Sequence, residues 1–297
     1  MRLIRAVCNV CLGVYGLFLN AIVFHNLQPC TKLNYFTRSL MTLQCVANFV
    51  GLIPLTFYSA PAFALNSNLL KQRALPMAFF SGMFAGSLNL QFLLQMVMAF
   101  NRMTTFCWLQ ASVYFTDRKV NLIVALLVGW GALFFGSAVL APEHSLYYNA
   151  ALGQWLVGRP DNNTLYNNNY RQYIHLVLTA SMFGISLACH CATLCSLENL
   201  RKQVSNKQIS GSKFKTEVRV AVQFLLITVV YIIYIGSIRL IQHTSLSGET
   251  ISWINEFTRY CFFFVEPNLY VIFVKELRWI MYKKYTKRSC SNNAVTD

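Results

Sequence analysis

Seven runs of about 20 mostly apolar residues, roughly 6 to 26, 39 to 59, 76 to 100, 120 to 140, 173 to 197, 218 to 241 and 252 to 274, constrain this chain more than any single motif. About 20 apolar residues is the length that crosses a bilayer as helix. Inside hydrocarbon, a backbone group without an internal partner is costly, so such runs must be helices. The longest non-apolar connection, about 141 to 172, spans only some thirty of the 297 residues. The expected fold is therefore an all-α membrane protein, a seven-transmembrane-helix bundle over 1–274 followed by a short amphipathic cytoplasmic helix and tail over 275–297. With 56% apolar and 12% charged residues, little chain is left for a soluble domain. No internal repeat or linker divides it, which weakens a transporter built from inverted repeats.

Lysine and arginine set the orientation, because they favour the cytoplasmic edge. The connections 27–38, 101–119 and 198–219 and the tail from 275 carry 17 of them. The opposite side carries 6, while Arg239 and Arg259 fall inside spans. This places the N-terminus outside and the C-terminus in the cytoplasm. The net charge of +15 then faces anionic lipid, and no nucleic acid is implied. Arg2 and Arg5 ahead of an apolar run resemble a signal peptide, but the run outlasts a usual signal core and lacks a small-residue cleavage site before Asn20, so it is read as a retained span.

Of ten cysteines, seven fall in spans and Cys30, Cys107 and Cys290 in cytoplasmic segments. No structural disulfide is expected. Cys189, His190, Cys191 and Cys195 have the composition of a metal cluster, but neighbours on a helix point in different directions, and no metal is expected. Asn162-Asn163-Thr164 is a glycosylation sequon on the long outer connection. No hydrolase elbow or phosphate loop stands out, so no enzyme and no cofactor is expected. The sequence carries no signal of oligomeric state.

Several polar residues sit at positions that together resemble the rhodopsin-like G-protein-coupled receptors, and in particular the nematode serpentine chemoreceptors. Asn20-Ala21-Ile22-Val23 is similar to the family's Asn-x-x-Val. Asn34-Tyr35-Phe36 with Ser39-Leu40 looks like its lead-in to the second span, which places Gln44 where many members carry a sodium-binding Asp. Trp130 is similar to the packing tryptophan of the fourth span. Asn101-Arg102-Met103 stands in place of Asp-Arg-Tyr, and Glu266-Pro267-Asn268-Leu269-Tyr270 in place of Asn-Pro-x-x-Tyr.

The resemblance implies roles. Asn20, Gln44 and Trp130 would form a helix-packing polar network. Asn101, Arg102, Glu266, Pro267 and Tyr270 would form the switch that couples to a heterotrimeric G protein. Arg102 is permanently charged and planar, which suits it to bind one set of helix ends in one state and a partner helix in another. Pro267 leaves an unpaired carbonyl in its helix for water or a side chain. Glu266, costly in hydrocarbon, is expected neutral or paired inside the bundle. Cys290, behind the basic amphipathic stretch 275–285, is a palmitoylation candidate.

For the ligand, the register places Phe84 where amine receptors have Asp and Met77 where they have a bridging Cys. An amine ligand and a disulfide-pinned outer loop are therefore not implied. Phe84, Ser87, Leu88 and Gln91 share one helical face. Tyr231, Ile235 and Arg239 of the sixth span and Trp253, Glu256 and Tyr260 of the seventh complete the expected pocket. Arg239 and Glu256 are expected to meet, either as a structural pair or as a charged recognition point, while Glu256 and Arg259 are three residues apart and suited to local pairing. The resemblance thus implies a plasma-membrane chemoreceptor, including that of a sensory cilium, whose partners are a small extracellular molecule, a G protein and membrane lipid. A transporter or ligand-gated channel is the alternative, with Arg239, Glu256, Arg259 and Glu266 as its intramembrane charges.

Overall fold

The computed structural model describes residues 2–30, 33–65, 75–107, 116–140, 146–149, 154–157, 169–205, 211–242 and 248–292. Its helices are α1 (Arg2–Leu27), α2 (Tyr35–Ala64), α3 (Leu75–Cys107), α4 (Asp117–Leu140), α5 (Asn169–Ser205), α6 (Gly211–Gln242), α7 (Gly248–Phe273) and α8 (Lys275–Asn292). Between α4 and α5 lies an antiparallel hairpin, β1 (Leu146–Asn149) and β2 (Gln154–Val157), which pairs Tyr148 with Trp155. All seven expected spans are helices. Among the described residues, α1 to α4 and Val177–Ser196 of α5 are long and apolar enough to cross a membrane; α6 contributes a shorter apolar run, Val218–Ile233. α7 carries Glu256, Arg259 and Glu266 along its length.

Each helix follows from which face it must hide. In α1 the buried residues Asn9, Gly13, Gly16, Asn20, Val23 and Leu27 recur every three or four positions, the period of one helical face. Leu3, Ile4, Val7, Val14 and Phe18 are exposed on the other side, where lipid is as favourable a neighbour as protein. A side chain at Gly13 would collide with Thr56 and one at Gly16 with Leu52, so these glycines let α1 lie close against α2. α3 is the central post, touching α2, α4, α5 and α6. α4 is peripheral and buries only a narrow stripe, Val120, Leu127, Gly131 and Ala138.

α2 begins at Asn34, whose side chain accepts the Phe36 N–H, and widens into a π-helical turn over Leu55–Ser59. Pro61 cannot donate a backbone hydrogen bond, and widening the turn shifts the carbonyls that need partners. The Pro54 carbonyl takes the Ser59 hydroxyl at 3.1 Å and the Leu55 carbonyl takes the Tyr260 hydroxyl of α7 at 2.7 Å. The local irregularity thereby ties α2 to α7.

At its other end α7 passes into α8 through Val274 alone, with Val274 N–H donating to Tyr270 and Arg278 N–H to Val274. Val274 and Leu277 are buried while Trp279 and Tyr282 are exposed, and the Lys283 ammonium lies 4.9 Å from the Trp279 ring. Cys30, just past α1, is buried near Glu276, and burial with that carboxylate pushes its thiol up to about 11, against the opposing charge of Arg38. The nine described cysteines are free thiols.

Candidate functional site

Tyr148 and Trp155 are cross-strand partners, so their side chains leave the same face of the hairpin. Both are buried. The Trp155 indole stacks on Phe84 of α3 at 5.2 Å and donates its N–H to the Ser59 hydroxyl at 2.9 Å. Tyr148 packs edge-on against Tyr58 and donates to Glu256 at 3.4 Å. Burial and the adjacent carboxylate raise the Tyr148 hydroxyl well above its ordinary range, which keeps it a donor. The hairpin thus fills space between α2, α3 and α7 where the ligand pocket was expected.

Beneath it lies an ion pair that joins the first and last spans. Arg5 donates through Nε at 3.0 Å and its terminal nitrogen at 2.7 Å to the same Glu256 oxygen. The guanidinium also covers the Phe63 ring at 4.2 Å. This corrects two expectations. Arg5 is no edge charge, and the ion pair that Glu256 forms among the described side chains is with Arg5 of α1, with Arg259 one turn away acting on it only from a greater distance; the Arg239 side chain lies outside the described residues. Length permits it: Arg5 reaches across the helix interface and places two donors on one acceptor. Arg259 instead contacts the Trp155 carbonyl at 3.4 Å.

Midway along the bundle is a wholly polar cluster. Glu266 accepts from Asn48 at 2.9 Å, from Tyr231 at 2.7 Å and from Gln95. Gln91 donates to Asn48 at 2.7 Å and Gln44 to Tyr231 at 3.2 Å. All six side chains are buried, and they come from α2, α3, α6 and α7. A buried acid costs heavily unless its oxygens are hydrogen-bonded, and here three donors meet them. Asn20, buried on α1, donates to the Phe263 carbonyl at 3.2 Å, the group that Pro267 cannot reach with a backbone N–H.

Towards α8, Arg102 is buried, donates to the Thr37 hydroxyl of α2 and lies 5.5 Å over the Phe224 ring of α6. Asn101 donates to the same hydroxyl at 3.3 Å. Tyr270 is buried with its hydroxyl unpartnered among the described residues.

The residues expected to form one site therefore separate. Phe84 stacks on Trp155 of the hairpin, while Tyr260 donates to the Leu55 carbonyl of α2. Gln91 and Tyr231 belong to the Glu266 cluster, and the Ser87 hydroxyl turns back onto the Phe84 carbonyl. Leu88 is half-buried against the core. Trp253 does not enter the bundle: it is 50% exposed and stacks on Phe257 of its own helix. Trp130 packs on Phe134 of its own helix and its N–H has no partner among the described residues, so it joins no polar network. Gln44 joins Glu266 and Asn20 the α7 backbone, in separate clusters. Asn162 lies outside the described residues, as do the side chains of Ile235, Arg239 and Cys290. His190 is buried against Thr228 of α6 at 2.9 Å while Cys191 and Cys195 are exposed, so they do not converge; no metal-holding group occurs among the described residues.

Arg5, Asn48, Gln95, Tyr148, Trp155 and Arg259 were missed as site residues. Asn48 and Gln95 carried a legible signal, each four residues beyond a chosen amide, Gln44 and Gln91, on the same helical face. The pairing of Tyr148 with Trp155 has no comparable signal, since it depends on the hairpin register.

The family model of serpentine-type seven-transmembrane G-protein-coupled chemoreceptors, Srx, matches residues 10–265. The structure is similar to the crystal structure of squid rhodopsin with a TM-score of 0.78 at 10% identity, covering 96% of this chain and 85% of that one. At that identity the likeness is one of fold, a rhodopsin-like seven-helix bundle. No curated protein matches the chain.

Proposed function

The chain belongs to the Srx family of serpentine seven-transmembrane G-protein-coupled chemoreceptors, and we propose that it binds a small extracellular molecule at the hairpin end and promotes nucleotide exchange on a heterotrimeric G protein at the other. In this reading the N-terminus is outside, the C-terminus and α8 lie at the cytoplasmic face, and the chain divides into a receptor domain, 1–274, and a cytoplasmic helix and tail, 275–297. Exposed Trp279 and Tyr282 beside Lys283 suit α8 to the lipid interface. Asn162 would be glycosylated and Cys290 palmitoylated.

The observation that carries the reading is the Glu266 cluster. Its hydrogen bonds hold α6 to α2, α3 and α7 through one hydroxyl, that of Tyr231, and α6 is also the helix whose Phe224 lies beneath Arg102. A ligand that favours a different seating of α7 or α3 disturbs this hub and frees α6 to leave Arg102, opening a groove for the partner's helix. Ligand and G protein then each strengthen the other's binding, by linkage.

The transporter or channel alternative needs intramembrane charges along a through-path. Glu256 is engaged by Arg5 and Glu266 by three donors, which favours a structural use of both. Ligand-driven nucleotide exchange and ligand-driven current, measured on the same reconstituted protein, separate the readings: exchange without current is expected, and current without exchange overturns the proposal. Arg102→Ala should leave ligand affinity within about three-fold while abolishing exchange; equal loss of both would make Arg102 a structural residue only.

A further inference from the structure

Arg259 is a charge at the hairpin end that forms no ion pair of its own among the described residues; Glu256, whose carboxylate it feels, is paired with Arg5. It lies on α7 between the hairpin and α3, half-buried, with its guanidinium 5.9 Å over the Phe84 ring. Its Nε is buried without an acceptor among the described residues, and one terminal nitrogen reaches the Trp155 carbonyl at 3.4 Å. The neighbouring acid is committed elsewhere: one Glu256 oxygen takes both Arg5 donors and the other takes Tyr148. Among the described side chains, the charged groups at this end are Arg2, Arg5 and Arg259 against Glu256 alone. Arg2 is exposed and lies 5.8 Å over Phe63. Among the described side chains the balance inside the bundle is one guanidinium in excess.

A guanidinium carries five donors, and a long contact to one carbonyl uses little of that capacity. Holding the hairpin to α7 would need only an amide, without the cost of a charge in a membrane-spanning bundle. We infer that Arg259 is a ligand-recognition residue for an anionic headgroup, and that the ligand is an apolar molecule bearing a single carboxylate. The planar fork of a guanidinium matches two coplanar oxygens. One excess positive charge matches a monoanion, not a phosphate dianion. Arg259 touches Phe84 and Trp155, and these rings pack on Phe263 and Tyr58 in turn, so the apolar body would meet aromatic faces beside the guanidinium. Because the headgroup would compete with the Trp155 carbonyl for the same nitrogen, binding also loosens the hairpin from α7.

This inference rests on the receptor reading and is tested apart from coupling. Purified full-length receptor in nanodiscs is titrated, without G protein, with straight-chain carboxylic acids of about four to twelve carbons, their methyl esters and the matching alkyl sulfates, with thermal stabilisation as the readout. At least one acid is expected to bind about ten-fold or more tightly than its ester and its sulfate. Arg259→Gln should erase the acid's advantage without weakening the ester, and Arg259→Lys should keep part of it; unliganded melting temperatures identify a variant that fails to fold. No acid preference in the native protein, or one that survives in Arg259→Gln, overturns the inference, and a stronger sulfate overturns the carboxylate assignment. Acid binding without nucleotide exchange preserves the inference and sinks the coupling proposal. Exchange driven equally by esters does the reverse.

Discussion

Breaking the Arg5–Glu256 pair one residue at a time should damage the protein far more than removing it whole. Glu256 is 2% exposed and Arg5 7%, so neither charge is hydrated if its partner disappears. With Arg5→Met, one Glu256 oxygen loses both donors and the acid is left with Tyr148 at 3.4 Å and the more distant charge of Arg259; stranding a buried charge in this way costs about 3–5 kcal/mol. With Glu256→Leu, Arg5 keeps its contact to Phe63 at 4.2 Å, which returns roughly 1 kcal/mol, so the loss is about 3 kcal/mol. The combined Arg5→Met, Glu256→Leu variant strands nothing. Apolar replacement of a whole buried pair is about neutral, and only the Phe63 contact is lost, so its cost is about 1 kcal/mol. The coupling energy from the double-mutant cycle is then on the order of 5 kcal/mol. Thermal melting of the four purified proteins in one detergent reads this directly: both singles should fall by on the order of 10 °C and the double should recover most of the loss. A double variant that melts as low as the sum of its parents would refute the reasoning, since the two charges would then act independently.

Three further outcomes follow from the same geometry. Tyr231→Phe removes one donor from Glu266 and the acceptor of Gln44; losing about 1.5 kcal/mol of α6 anchoring should raise ligand-independent nucleotide exchange by roughly ten-fold, and an unchanged basal rate would show that the hub does not restrain α6. Asn20→Leu should cost about 1 kcal/mol in the native background and distinctly less when Pro267→Ala restores a backbone donor to the Phe263 carbonyl; equal costs in both backgrounds, by thermal melting, would disconnect the two residues. Cys30, with its thiol pushed up to about 11, stays protonated at neutral pH, its thiolate about one part in ten thousand at pH 7. Maleimide labelling of single-cysteine variants should therefore mark exposed Cys107 long before Cys30, with Cys30 gaining reactivity only as pH approaches 11; the reverse order would contradict the buried placement.

The bundle was legible because its signal is local and repeated. A run of twenty apolar residues states its own length and helicity, and seven such runs joined by short connections leave few ways to pack. Pro267 was legible for a similar reason, since an absent N–H is a property of the residue itself. What the sequence does not state is which group takes the freed carbonyl. That Asn20 supplies it at 3.2 Å depends on where α1 crosses α7, and the close seating of α1 on α2 depends on Gly13 and Gly16 against Thr56 and Leu52, contacts between helices that no single window contains.

Charges were the least legible class, and the reason is physical. A buried carboxylate needs donors, but its chain neighbours are candidates on equal terms with any residue a long side chain can reach. On α7 the sequence offers Arg259 to Glu256 at helical spacing, and across the bundle it offers Arg239 and Arg5. The choice falls to the partner that delivers two donors to one oxygen without strain, which is Arg5. That choice decides the rest of the site. With Glu256 neutralised from α1, Arg259 is left facing the hairpin with capacity to spare, and the hairpin end carries positive charge beside aromatic walls where amine receptors of the wider family carry a negative one. The pairing leaves the count of charges unchanged and decides where the spare guanidinium lies: with the local i, i+3 pair it would be Arg5 over Phe63, and with the observed pair it is Arg259 between Trp155 and Phe84. One long-range ion pair, unreadable from spacing, thereby places the spare donor capacity beside the hairpin.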